Sequence, residues 1–228
     1  MNDLKTGEWN QSYSRNENFI FYPKEEVVKF LNRFVRKKTD IKSSNSGSDT
    51  LNNIRALDLG CGIGRQTILF KEFDFEPYGV DISEVAIQQA KELSRSFGYD
   101  LDKNFILLDD IILPFEDYFF DFAISDSVLD SMEFRFAKLY MKELNRTVKN
   151  LLYLNLISSD SEKDGKAEDI LVYGDHEKGT IQSYYDTGRI QELIKDTEFE
   201  VIQLNKNTIQ NLLTQKVGAR YNIVLKKK

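Results

Sequence analysis

Three glycines, spaced as Gly60-Cys-Gly62-Ile-Gly64 and followed by Arg65, stand between a short apolar run (Ile54 to Leu59) and a helical pattern beginning at Arg65. Glycine accepts positive φ and lets a ligand come close to the backbone, so a glycine turn leading from a strand into a helix suits binding of a small polar ligand. A dinucleotide site carries its third glycine one place later and sets a pyrophosphate on the helix N-terminus. Here Arg65 holds that later place, and the spacing suits a smaller ligand with an amino-acid end. The competing reading is a tight turn with no ligand. Two carboxylates, Asp81 and Asp109, close the next two apolar runs, where ligands of open α/β sheets sit, although solvated acids at strand ends are also ordinary. Asp126 and Asp130 follow a fourth run in Ser125-Asp-Ser-Val-Leu-Asp-Ser-Met132. They are candidates for orienting a substrate or acting as a base, and equally for capping the next helix. His176, the only histidine, lies in Tyr173-Gly-Asp-His-Glu-Lys-Gly179, where it reads as a general base or an exposed loop residue.

These residues need elements to hold them. Helical spacing of Val27, Val28, Leu31, Phe34 and Val35 after Pro23 predicts a helix over Lys24 to Arg36. Residues 1–22 carry Trp9, Tyr13, Phe19, Phe21 and Tyr22 without a clear period, and Lys42 to Asn53 reads as a Ser/Asn-rich surface connection. Strands are expected over Ile54–Leu59, Tyr78–Ile82, Asn104–Leu108, Asp121–Ser125, Leu151–Ile157, Glu200–Leu204 and Arg220–Leu225. Ser83 is a candidate N-cap for a helix burying Ala86, Ile87, Ala90 and Leu93. A longer helix from Met132 to Lys149 would bury Phe136, Leu139, Tyr140, Leu144 and Val148, and another runs from Thr187 to Lys195. Asp160 to Asp169 reads as a charged loop. Strands separated by helices give a doubly wound, mostly parallel seven-stranded α/β sheet with helices on both faces. The last two strands have little helix between them, which predicts one antiparallel strand at the sheet edge.

The chain has 228 residues, 41% of them hydrophobic, enough for one substantial core. A net charge of −6 argues against a general polyanion binder, so nucleic acid is not the expected partner. One cysteine excludes an intramolecular disulfide, and with a single histidine it excludes the usual zinc clusters; no metal is expected. No apolar run approaches the ~20 residues of a membrane helix, and residues 1–18 lack a signal-peptide core, which gives an expectation of a cytoplasmic protein.

Ala56-Leu-Asp-Leu-Gly-Cys-Gly-Ile-Gly-Arg65 resembles the first motif of the class I S-adenosylmethionine-dependent methyltransferases, a Rossmann-like family. Gly-Val-Asp81-Ile82-Ser resembles the end of its second strand, whose acid binds both ribose hydroxyls; a carboxylate accepts two hydrogen bonds at once, which suits a vicinal diol. Asp109 in Leu-Leu-Asp-Asp-Ile-Ile-Leu-Pro-Phe resembles the acid that takes the adenine amino group, with the next backbone N–H, of Asp110, facing the ring. Phe120-Asp-Phe-Ala-Ile-Ser125 and Glu143-Leu-Asn-Arg-Thr-Val-Lys149 resemble the fourth strand and the helix before the fifth. One departure is Asn150-Leu151 where the family often has two glycines; Asn tolerates a left-handed helix end. The resemblance implies a cofactor site formed by Asp58, Gly60, Gly62, Gly64, Arg65, Asp81, Ile82, Asp109, Asp110 and Ser125. Within it, Asp58 either orders the glycine loop or approaches the ligand ammonium through water. Cys61 reads as a small buried residue, not a nucleophile.

It also implies one domain over 1–228. This divides into an N-terminal lid or helical segment (1–53), a cofactor-binding core (54–157), and a substrate loop with the C-terminal strands (158–228). The activity implied is methyl transfer from S-adenosyl-L-methionine, leaving S-adenosyl-L-homocysteine, to oxygen or nitrogen of a small metabolite or sugar-type acceptor, with Asp126, Asp130 and His176 as catalytic candidates. The alternatives are an RNA or protein methyltransferase and a non-catalytic cofactor-binding partner subunit. The lack of an Asn/Asp-Pro-Pro-aromatic motif after the fourth strand speaks against methylation of DNA bases. The acceptor pocket is expected at the carboxyl ends of the strands, roofed by residues 1–22 and by the loop Gly174 to Tyr185.

Overall fold

The computed structural model describes residues 4–38, 54–161 and 165–228. The Ser/Asn-rich stretch 42–53 lies outside these residues. The chain opens with α1 (Thr6–Ser14) and α2 (Glu25–Phe30), the latter continuing as one wide turn through Val35. Then follow β1 (Arg55–Leu59), α3 (Arg65–Glu72), β2 (Glu76–Asp81), α4 (Glu84–Ser96), β3 (Phe105–Leu107), β4 (Phe120–Asp126), α5 (Phe134–Thr147) and β5 (Val148–Ile157). The chain closes with β6 (Asp169–Leu171), β7 (Ile181–Ser183), α6 (Thr187–Ile194), β8 (Phe199–Gln210) and β9 (Val217–Lys227).

Seven strands form one sheet in the order β3-β2-β1-β4-β5-β9-β8, and β6 and β7 pair separately. The first five are mutually parallel. β9 runs antiparallel to both β5 and β8, so the reversed strand enters between β5 and the edge strand β8. Successive residues of each strand face opposite sides, and the core divides accordingly. Leu57, Ala123, Leu152 and Leu154 pack with α5 and α6 on one face. Ala56, Phe122, Ile124 and Tyr153 pack with Phe30 and Phe70 of α2 and α3 on the other.

Three local readings change. Residues 1–22 contain α1, which places Trp9 and Tyr13 four apart on one face. Its periodicity is faint because Ser12 is its one buried residue and its aromatics face a cavity, not the core. α5 buries Ala137, Tyr140, Met141 and Leu144, while Phe136 is half-buried and Leu139 is 42% exposed. The buried set has the spacing i, i+3, i+4, i+7 of a single stripe, and Leu139 falls to its flank. α5 passes straight into β5 through the extended residue Val148, so Asn150 lies in a strand and caps nothing. Ser83 does cap α4, accepting from the Ala86 N–H at 3.2 Å, a contact worth about 1 kcal/mol.

Candidate functional site

β1 is flanked by β2 on one side and β4 on the other, so the chain leaves its carboxyl end at the point where strand order reverses, the customary ligand crevice of such sheets. The glycine turn fills this point. Gly60, Gly62 and Gly64 all have positive φ (69°, 54° and 83°). The N–H groups of Gly60 and Cys61 donate to Val80 O at 2.8 and 2.9 Å, tying the turn to β2. A Cβ on Gly64 would stand 2.7 Å from the Phe105 ring, and one on Gly62 would stand 2.7 Å from the Tyr13 hydroxyl. Gly64 therefore lets the turn pack on the fold, while Gly62 keeps space beneath α1.

Asp81, 7% exposed, accepts from the Gly62 N–H and the Ser83 N–H, each at 2.9 Å. These bonds use one lone pair on each oxygen and leave acceptor capacity toward the cavity. Burial raises its pKa, and the backbone donors oppose the rise. Asp58 lies behind the turn, 2% exposed, and accepts from the Thr67 hydroxyl at 2.8 Å. Burial pushes its carboxyl up to about 7, with Thr67 opposing. Cys61 is buried and its thiol is also pushed up by burial.

The turn and Asp81 open on a cavity of about 310 Å³. Trp9 and Tyr13 of α1, with Asn18 and Ile20 after it, form one wall. This segment is docked by polar bonds: the Ser83 hydroxyl donates to Asn10 at 2.7 Å, Gln89 donates to Tyr13 O at 3.3 Å, and the Glu177 N–H donates to Glu17 at 3.0 Å. Burial, and then Asp81, raise the Tyr13 phenol pKa.

The end of the cavity near β4 is ionic. Lys24 donates to Asp126 at 2.8 Å and to the Ser127 hydroxyl at 2.7 Å. Asp126 also accepts from Gln66 at 3.0 Å and lies 3.7 Å from Arg65. Arg220 of β9 donates to Ser127 at 2.8 Å, Asp130 at 2.5 Å and Asn155 at 2.6 Å. Asp130 further accepts from the Ile157 N–H at 2.7 Å. Ser127 holds a left-handed backbone (φ 62°), uncommon outside glycine, and its hydroxyl stands between two cations.

Of the residues named from sequence, Gly60, Gly62, Arg65, Asp81, Ile82, Asp126 and Asp130 share this cavity wall. Gly64 and Asp58 support the turn from behind, and Ser125 is fully buried at the end of β4. Leu108 lines the cavity, while Asp109 and Asp110 after it are exposed and stand off its wall. His176 does not reach the wall; its side chain is 63% exposed, between Glu17 at 4.0 Å and Glu177 at 3.5 Å. Tyr184 and Tyr185 are core residues, the latter donating to Leu129 O at 2.9 Å. Sequence reasoning missed Lys24, Tyr140 and Arg220 as wall residues. Lys24 and Arg220 belong to no local motif, since their partners lie about a hundred residues away.

Among the described residues, no cluster of His, Cys, Asp and Glu could hold a metal ion, and no helix is long and apolar enough to cross a membrane. A family model described as a methyltransferase domain matches residues 51–196. Comparison with curated proteins found no match. Among solved structures, a SAM-dependent methyltransferase of Methanosarcina mazei is similar with 23% identity and a TM-score of 0.64, covering 77% of this chain and 93% of its own. A SAM-dependent methyltransferase of Anabaena variabilis gives 17% identity and 0.62, covering 98% and 95%. The magnesium protoporphyrin IX methyltransferase of Synechocystis with bound SAM gives 15% and 0.58, covering 100% and 83%. The chain belongs to the methyltransferase-domain family, and it is an S-adenosylmethionine-dependent enzyme of the class I fold. The positive-φ turn, the half-used carboxylate of Asp81 and the adjoining cavity fit that cofactor.

Proposed function

We propose that the enzyme methylates an oxygen or nitrogen of a small-molecule acceptor held in the same cavity as the cofactor. The observation that carries this reading is that the glycine turn, Asp81 and the residues after β4 all open on one space of about 310 Å³, roofed by α1 and lined at one end by Lys24 and Arg220. That volume suits a small ligand, not a folded macromolecule. The net charge of −6 supports the same choice over RNA.

S-adenosylmethionine supplies a methyl group already activated on a sulfonium, so the chain's own residues need only bind, align and exclude water. Gly60 and Gly62 present backbone to the methionine end, with Arg65 serving its carboxylate. Asp81 takes the ribose hydroxyls, and Ile82 and Leu108 pack beside the adenine, with Asp109 and Asp110 at its edge. Asp58 orders the loop through Thr67, and Ser125 supports the floor at the end of β4. Asp126 and Asp130 are positioning residues that hold Lys24 and Arg220, since both carboxylates are engaged by these cations. His176 belongs to the contact between the β6–β7 loop and the N-terminal segment, where it faces Glu17. Trp9 and Tyr13 close the cavity against solvent.

The test is transfer of labelled methyl from S-adenosylmethionine to a metabolite panel, following S-adenosylhomocysteine release. Turnover on a metabolite supports the reading. Methylation of RNA or protein substrates with every metabolite inert would replace it.

A further inference from the structure

At the acceptor end of the cavity both carboxylates are paired with cations. Asp126 is 4% exposed and engaged by Lys24 and Gln66; Asp130 is 3% exposed and engaged through Oδ2 by Arg220 and the Ile157 N–H, while its Oδ1 is buried without a hydrogen bond. Asp81 is held by backbone donors of Gly62 and Ser83. Glu177 also lines the cavity, 3.5 Å from His176, and its charge is felt at the Tyr13 phenol. The phenols of Tyr13 and Tyr140 are raised in pKa by burial, which makes them poor bases as neutral groups and leaves them unionised at neutral pH. An alcohol needs a base to lose its proton as it attacks.

Hydrogen-bond donors, by contrast, are plentiful there. Lys24 comes from the segment before α2 and Arg220 from β9, yet both donate to the one Ser127 hydroxyl. Arg220 spends Nε and Nη2 on Asn155, Ser127 and Asp130, and Lys24 spends two protons on Asp126 and Ser127. The guanidinium Nη1 and the third lysine proton are in excess of these bonds. Both cations line the cavity, and each is about one-third exposed.

We propose that the methyl acceptor presents an anionic oxygen, that of a carboxylate or an acidic phenol, to the cavity end formed by Lys24, Ser127 and Arg220. The inference rests on the methyltransferase reading of the cavity. An oxygen that arrives deprotonated needs no base. One of its lone pairs forms the new O–C bond as the C–S bond breaks, the bonding pair returns to sulfur, and the products are a methyl ester or ether and neutral S-adenosylhomocysteine, with no proton to move. Although each cation is paired with a carboxylate, their unspent N–H donors would hydrogen-bond the ionised form of an acidic hydroxyl and so favour it. Lys24 and Arg220 are thus acceptor-positioning residues with an electrostatic role.

The experiment titrates sodium benzoate into the S-adenosylhomocysteine-saturated full-length protein by calorimetry, with benzamide and benzyl alcohol as uncharged comparators at equal ionic strength. Saturation with S-adenosylhomocysteine is measured first; its failure in the wild type would count against the cofactor reading and not against the anion seat alone. Benzoate should bind at least tenfold more tightly than either comparator. Lys24→Met and Arg220→Met should each lose that advantage by about tenfold while retaining S-adenosylhomocysteine affinity within threefold. Arg220→Lys, which keeps the charge, should recover part of it and guards against misfolding of the methionine variant. Benzoate binding no tighter than benzamide, or unaltered in both Lys24→Met and Arg220→Met, overturns the proposal.

Discussion

Asp58 shows how one buried carboxylate sets a pH dependence. Its folded pKa stands at about 7 against an ordinary 3.8, so between these values the folded chain keeps a proton that the unfolded chain has lost. Stability from this proton is full below pH 3.8 and is lost as pH rises toward 7. Between pH 5 and pH 8 the wild type should therefore lose about 2 kcal/mol that Asp58→Asn retains, or about 4–8 °C in Tm. Parallel melting curves for the two proteins across that range would show that Asp58 is not the titrating group. At Asp81 the expected effect is on binding. Asp81→Ala removes the acceptor for two backbone donors as well as for the ribose, and calorimetry should record a loss of S-adenosylhomocysteine affinity of at least ~30-fold, in keeping with ~2 kcal/mol or more for orphaned polar partners. An unchanged affinity would remove Asp81 from the site.

At the scale of elements, the glycine turn separates two kinds of damage. Gly64→Ala forces a side chain against Phe105 at positive φ, so it should destabilise the fold by about 1–3 kcal/mol in urea unfolding. Gly62→Ala meets the Tyr13 hydroxyl of α1, a movable neighbour, and should weaken cofactor binding more than it lowers stability. Equal stability losses in both variants would contradict this division. The same elements show what sequence can and cannot convey. The strand-turn-helix around Gly60 to Arg65 and the Ser83 cap were legible because local backbone chemistry demands those residue types. α1 was not, since its aromatics face a cavity and leave no core stripe. Lys24 and Arg220 were not, because only the folded sheet brings α2's entry beside β9. Deleting residues 1–22 should cut turnover more than tenfold while the remaining chain melts within a few degrees of the full protein, because α2 and the two main core clusters remain apart from Leu4. Full activity in the truncated enzyme would show that α1 does not shield the reaction.

For the whole molecule, the cofactor and the fold share one crevice, so ligand binding should appear as stability. S-adenosylhomocysteine at about 100 times its Kd should add about 2.7 kcal/mol, or about 5–10 °C in Tm. Asp81, Lys24 and Arg220 all line that crevice, and under the proposed function the ribose sits at Asp81 and the acceptor at Lys24 and Arg220. The most direct test is a crystal structure of the full chain grown with S-adenosylhomocysteine. The expected result puts the ribose hydroxyls within hydrogen-bond distance of Asp81, the methionine end over Gly60 and Gly62, and the sulfur facing the space bounded by Ser127. S-adenosylhomocysteine seated elsewhere, or a cavity still without it at saturating concentration, would contradict the assignment.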